Sequence, residues 1–345
     1  MTDSILDEVY ERIRHTGPER DGWLTNHAPM AAEVLVRHGY GHLVHPWLDT
    51  YADRLEERPR GISTIETAQW RDPLGDPSRA GDWLDYFARE LAGEPWRTVL
   101  VRWWPRLLPG IAAGATHGVI RVGHAVRALL DTETDGRIAE LGAGLAYWAA
   151  RWQPLAPPGA GPYPTTDPRS ALDRVPRVPD QRFGIRARLA QLAESTQWPA
   201  SAGAVPGQRG ADVPTRLAAI VDAAVARYAS HGYASPIMLV HAATAPNAVL
   251  RTLPALPTPL WTPSLDAAWA ATAAVTAAYS PARARPPLIR RSAPQIAEVM
   301  HRAADSGDEH AIKFADAAVD AYARSGDDPT VAALAVASVD LLAGD

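Results

Sequence analysis

The 345-residue chain contains no cysteine. That absence removes disulfides, zinc–thiolate centres, iron–sulfur clusters and a thiol nucleophile. No long run of Lys and Arg occurs, and the formal net charge is −5, so neither nucleic acid nor an anionic membrane is expected as the main partner. The apolar stretch from Leu107 to Val122 carries His117 and Arg121 and is too short to span a bilayer. Met1 to Arg14 is amphipathic and acidic rather than built like a secretory signal, which predicts a cytoplasmic protein. Nucleotide chemistry also lacks its usual sequence marks. There is no P-loop, no Gly-x-Ser-x-Gly elbow and no Gly-rich turn between a strand and a helix. The nearest match, Gly142-Ala143-Gly144-Leu145, sits inside a helical pattern and reads as a close-packing helix face. The Asp/Glu-x-x-His pairs of di-iron bundles are not repeated either.

What is present suits a large buried core, with 47% hydrophobic and 21% charged residues. Tryptophan is unusually frequent, at 12 residues against 3 Phe, which fits bulky helical packing or a pocket for a flat aromatic ligand. Helical periodicity dominates over Pro29–His38, Leu43–Glu57, Ser78–Ala92, Gly118–Leu130, Gly136–Trp152, Val213–Ser230, Ser235–Leu250, Leu265–Tyr279, Ala293–Ala304, Asp308–Arg324 and Thr330–Ala343. Ser78, Ser235 and Asp308 are candidate N-caps. Strands are few or absent, so the fold class is all-α. Pro/Gly-rich stretches near 153–170, 198–214 and 253–263 read as loops. The first could divide two domains; a single domain over 1–345 is preferred, because the notable histidines fall on both sides of it.

Those histidines carry the functional argument. His27 precedes a helix in Thr25-Asn26-His27-Ala28-Pro29-Met30, where Asn26 or Thr25 can cap and leave the imidazole pointing inward. His117 and His124 are two turns apart on one helix face, about 10.5 Å along the axis. Gly114, Gly118 and Gly123 surround them, and a helix-interior glycine costs about 1 kcal/mol relative to Ala. Glycines kept at that cost permit close packing or make room for a ligand, while Arg121 and Arg127 face elsewhere and pair with carboxylates. His241 is a polar group in the apolar run Ile237-Met238-Leu239-Val240-His241-Ala242, so it requires a partner. His310 and Lys313 project from one helix face at i, i+3. A buried lysine can lose its proton, and the neutral amine then takes up CO2 to become an anionic carbamate, an oxygen ligand. Each residue also has a plainer reading as a packed core histidine or a solvated lysine. Five imidazoles in apolar or glycine-lined positions nonetheless favour one shared cation. His15, His38, His42, His45, His231 and His301 read as surface residues.

The segments Thr25–Met30, Pro109–Arg121 with His124, Val240-His241-Ala242 and Asp308–Phe314 together resemble the questin oxidase-like family, in the same order and over nearly the whole chain. The resemblance implies an oxygenase that opens aromatic rings of anthraquinone-type polyketides. It implies non-haem iron, Fe(II), held by four histidines and a carboxylated lysine. Lys313 would be that lysine and His310 one of the histidines, with the rest drawn from His27, His117, His124 and His241. His124 is set aside first, for a substrate-contacting or supporting catalytic role. One coordination position must stay open for O2 or substrate. Trp23 and Trp104 are candidate aromatic walls for the polycyclic substrate, and Tyr147, Tyr233 and Glu33 are candidate bases. Two rivals remain: an NADPH-dependent Baeyer–Villiger monooxygenase without protein-bound metal, and a non-catalytic helical pigment-binding protein.

Overall fold

Long stretches rich in Ala, Leu and Arg, with apolar residues at three-and-four spacing, fold as helices. In the computed structural model, residues 2–22, 24–159, 167–205, 212–287 and 296–344 are described; Trp23 lies outside them. The described residues are essentially all-α, with one small sheet. They form two compact units, Met1–Pro154 with Arg251–Leu260, and Leu155–Leu250 with Trp261–Asp345. The chain passes from the first to the second within the Pro-rich stretch that begins at Gln153.

The first unit opens with α1 (Thr2–Ile13), β1 (Thr16–Arg20), β2 (Leu24–Thr25), α2 (Ala28–Arg37), α3 (Gly41–Ala52) and β3 (Leu55–Glu57). The strands form an antiparallel sheet of order β2-β1-β3, pairing Arg20 with both Leu24 and Leu55. The expected helix Leu43–Glu57 is therefore too long: α3 stops at Ala52, and Leu55–Glu57 pair with β1 instead. Next come α4 (Ala80–Gly93), α5 (Trp96–Leu107), α6 (His117–Asp131) and α7 (Asp135–Ala150). The α5 helix was not anticipated, because Pro105 near its end and its dense tryptophans obscure the buried stripe of Val99, Leu100, Trp103, Trp104 and Leu107. Trp103 is the hub of an aromatic cluster with Trp70, Trp83, Tyr86 and Phe87, ring centroids 4.9–5.5 Å from its own.

Helix α7 packs against both α4 and α6. The contact with α6 requires glycine. A Cβ on Gly118 would meet the Trp148 Cβ at 2.6 Å, and one on Gly144 would meet Val122 Cγ2 at 3.2 Å. The glycines of Gly142-Ala143-Gly144 thus do pack closely, as their spacing suggests.

The second unit contains α8 (Pro168–Asp173), α9 (Ile185–Ala190), α10 (Trp198–Ala202), α11 (Val213–His231), α12 (Pro236–Leu239), α13 (His241–Thr252), α14 (Trp261–Tyr279), α15 (Ile296–Ser306), α16 (Glu309–Arg324) and α17 (Pro329–Ala343). Helices α15, α16 and α17 pack on one another, and α11 touches α14, α16 and α17. From Ala268 to Tyr279, α14 is buried on every face, as expected of a helix apolar all round. The expected helix Ser235–Leu250 is interrupted, so that His241 begins α13. All three expected loops are partly helical, since α8 starts at Pro168, α10 lies within 198–214 and α14 starts at Trp261. Pro199 and Pro263 occupy first turns, where a missing N–H breaks no helical bond. Asp308 caps α16, accepting from the backbone N–H groups of His310 and Ala311. Ser78 is instead held by Asp76, and Ser235 makes no side-chain cap. No helix among the described residues is long and apolar enough to cross a membrane.

Candidate metal centre

His27 stands at the N-cap of α2, where its backbone N–H donates to the Tyr51 hydroxyl at 2.9 Å. Asn26 Oδ1 accepts from the Ala28 N–H at 2.9 Å. The asparagine therefore closes the helix start, and the His27 ring turns inward, where the residue is only 2% exposed. His117 is the first residue of α6 and follows three consecutive left-handed residues, Gly114 (φ +55), Ala115 (φ +56) and Thr116 (φ +66). For Ala and Thr this conformation costs about 1–2 kcal/mol each. The kink turns the Gly114 carbonyl back onto the His117 ring, whose Nδ1 lies 2.6 Å from it. A carbonyl only accepts, so Nδ1 carries the proton and Nε2 presents a lone pair.

That Nε2 lies 2.8 Å from His27 Nε2, with the two rings perpendicular. A first-row metal ion holding two imidazoles at right angles, with bonds of about 2.0–2.1 Å, sets their nitrogens about 2.9 Å apart. The pair is thus spaced as two adjacent ligands. Tyr147 closes the back of this region. Its hydroxyl lies 2.7 Å from Thr25 Oγ1, a Cβ on Gly114 would meet it at 2.9 Å, and burial pushes its pKa up to about 12. It is therefore protonated at neutral pH.

The second unit carries a matching set on α13 and α16. His241 is fully buried, and its Nδ1 lies 3.0 Å from the Met238 carbonyl, which again leaves Nε2 as the lone-pair nitrogen. Burial is the main cause that lowers its pKa, to about 3, so the ring is neutral and able to ligate. Its ring centroid is 5.9 Å from that of His310, edge to face. His310 and Lys313 are 5% and 1% exposed, so both halves of the i, i+3 pair are inside. Asp308, Glu309 and His310 also bring ligand atoms within 4.8 Å of one another, though the Asp308 carboxylate is engaged in capping. His27, His117 and His310 are all buried imidazoles capable of holding a metal.

His124 belongs to a different constellation. Its Nδ1 is 2.9 Å from Glu33 Oε2, and Arg127 Nε donates to Glu33 Oε1 at 2.7 Å. Burial pushes the Glu33 carboxyl up, but Arg127 and the His124 hydrogen bond outweigh it and hold it at about 2. Burial also lowers the His124 pKa. His124 therefore donates from Nδ1 to a carboxylate and keeps Nε2 as an acceptor. As the sequence suggests, Arg121 and Arg127 both pair with carboxylates, Glu140 and Glu33 respectively. Trp104 is fully buried, edge to face with Trp148 at 5.5 Å. Tyr233 donates to the Arg283 carbonyl. Two features at this site escaped sequence reading: the strained run before His117, which no local residue pattern announces, and Tyr51 as the anchor of His27.

The family model for questin oxidase-like proteins matches residues 31–318. No curated protein matches the chain.

Proposed function

The chain belongs to the questin oxidase-like family, and from that premise we propose that it is an iron-dependent oxygenase that opens a ring of an anthraquinone-type polyketide. The family itself supports an oxidoreductase, an oxygenase of polyketide pigment metabolism acting on a small molecule with O2. The finer reading takes His27, His117, His241, His310 and Lys313 as ligands of one Fe(II). The observation that supports it best is the His27–His117 pair, two buried Nε2 atoms 2.8 Å apart with one tautomer pinned by a backbone carbonyl.

The donor chemistry fits the ion. Histidine nitrogens with one anionic oxygen suit non-haem iron, and hydrogen bonds from Nδ1 to carbonyls orient ligating imidazoles and raise their basicity. Bound iron would supply O2 activation. The protein's own residues do the rest. His117 and His241 each hold a proton on Nδ1 and present Nε2. Lys313, as a neutral amine, attacks CO2; an N–C bond forms, one proton leaves, and the carbamate becomes the oxygen donor. His124 is proposed as the supporting base, its Nε2 accepting a substrate proton while Glu33 stabilises the resulting imidazolium through Nδ1. Trp104 would serve as an aromatic wall behind the substrate.

The test is oxygen uptake with an anthraquinone substrate, with protein prepared metal-free and then reloaded. Uptake and ring-opened product should rise in proportion to bound iron and should not require NADPH. Full turnover by metal-free protein on NADPH, or quinone binding with no turnover under any loading, would overturn this reading in favour of an NADPH-dependent Baeyer–Villiger monooxygenase without protein-bound metal or a pigment carrier.

A further inference from the structure

His27 and His117, which face one another in the first unit, arrive on separate stretches of chain, and both stretches lean on α7. The loop that leads into α6 meets α7 at three glycines spaced four apart. Trp148 Nε1 donates to the Gly110 carbonyl at 3.1 Å. A Cβ on Gly114 would meet the Tyr147 hydroxyl at 2.9 Å, and one on Gly118 would meet the Trp148 Cβ at 2.6 Å. The loop is thus seated on Tyr147 and Trp148 with no room for a side chain between them. Gly114 matters most, because its carbonyl accepts the His117 Nδ1 proton.

The segment that carries the other imidazole reaches the same tyrosine. Thr25, two residues before His27, places its Oγ1 2.7 Å from the Tyr147 hydroxyl. Both residues are buried, which shields the contact from solvent. From there the backbone N–H of Asn26 donates to the Pro18 carbonyl and that of His27 to the Tyr51 hydroxyl, both at 2.9 Å. Those bonds fix the direction in which the His27 ring leaves the chain. One phenol therefore touches both the start of the His27 turn and the glycine whose carbonyl orients His117. Being protonated at neutral pH, it serves as a brace and not as a base.

We propose that Tyr147 is a positioning residue, whose hydroxyl, braced by Thr25, sets the separation and mutual orientation of His27 and His117. Its consequence for metal binding rests on the reading of these two imidazoles as ligands of one ion.

The test compares Tyr147→Phe, Thr25→Val and their double variant with the parent, in the full chain. Thr25→Ser, which keeps the hydroxyl, is the rescue. Thr25→Val carries the test should Tyr147→Phe fail to fold. In metal-free protein, long-range proton–nitrogen NMR spectra should show His117 as a single Nδ1–H tautomer in the parent and in Thr25→Ser, and as a mixture in the other variants. Fe(II) titration should give about a tenfold weaker affinity for each single variant, the loss of one hydrogen bond. The double variant should be no weaker than either single, because both remove the same contact. A merely structural role would lower the melting temperatures and leave the His117 tautomer pure. A pure tautomer in Tyr147→Phe or Thr25→Val, parent-like iron affinity in both, a Thr25→Ser protein as impaired as Thr25→Val, or a hundredfold loss in the double variant would each overturn the proposal. Should the parent take up no iron, the metal-centre reading falls, and the tautomers alone decide this one.

Discussion

At the scale of single residues, the candidate site depends on a small number of enforced conformations. Ala115 holds φ +56 with no side chain that benefits from it. Ala115→Gly should therefore stabilise the protein by up to about 1 kcal/mol, the left-handed penalty relieved less the added chain entropy of glycine. Urea unfolding checks this, and a loss of stability would show that Ala115 is not strained. Glu33 makes a second prediction. Its folded pKa of about 2 lies below the ordinary 4.5, so its contribution is fully present above about pH 5 and is lost as pH falls toward 2. The size is about 3 kcal/mol at one unit per 1.36 kcal/mol. Glu33→Gln, which leaves Arg127 buried without its anion, should cost about 3–5 kcal/mol at pH 7 and flatten the decline between pH 5 and 3; an unchanged acid limb would contradict it. Much at this scale was legible. Apolar or glycine-lined contexts singled out His27, His117 and His241, and i, i+3 spacing paired His310 with Lys313; all five are buried. Their tautomers were not legible, since those depend on which carbonyl happens to face each ring.

At the scale of elements, periodicity located most helices within a few residues. Tertiary pairing overrode it where Leu55–Glu57 joined β1 rather than extending α3, and it also missed the break at Val240 before His241. It also failed at α5, where tryptophan and proline conceal an amphipathic stripe. The glycines of α6 were informative because glycine inside a helix is unfavourable and must be repaid by packing. Gly118 is the tightest case, and Gly118→Ala should cost about 1–3 kcal/mol by forcing α6 from Trp148. Because His117 precedes it directly, the same variant should also weaken iron binding. Calorimetric melting and metal titration together check this; a variant as stable as the parent would mean that the two helices can separate without cost.

At the scale of the whole molecule, chain order and motif content pointed to the family, which the match over residues 31–318 bears out, and the all-α class followed from the absence of alternating strands. The substrate's identity is not encoded in any short pattern, because aromatic walls look like core. The central claim is that four imidazoles and a modified Lys313 hold one iron. X-ray absorption at the iron edge, on protein loaded with one equivalent of Fe(II) under CO2, measures it most directly. The account predicts a nitrogen/oxygen shell with outer scattering from four imidazoles, and at least a tenfold loss of iron affinity in Lys313→Ala. Iron that fails to bind, or a spectrum with one imidazole or none, would contradict it.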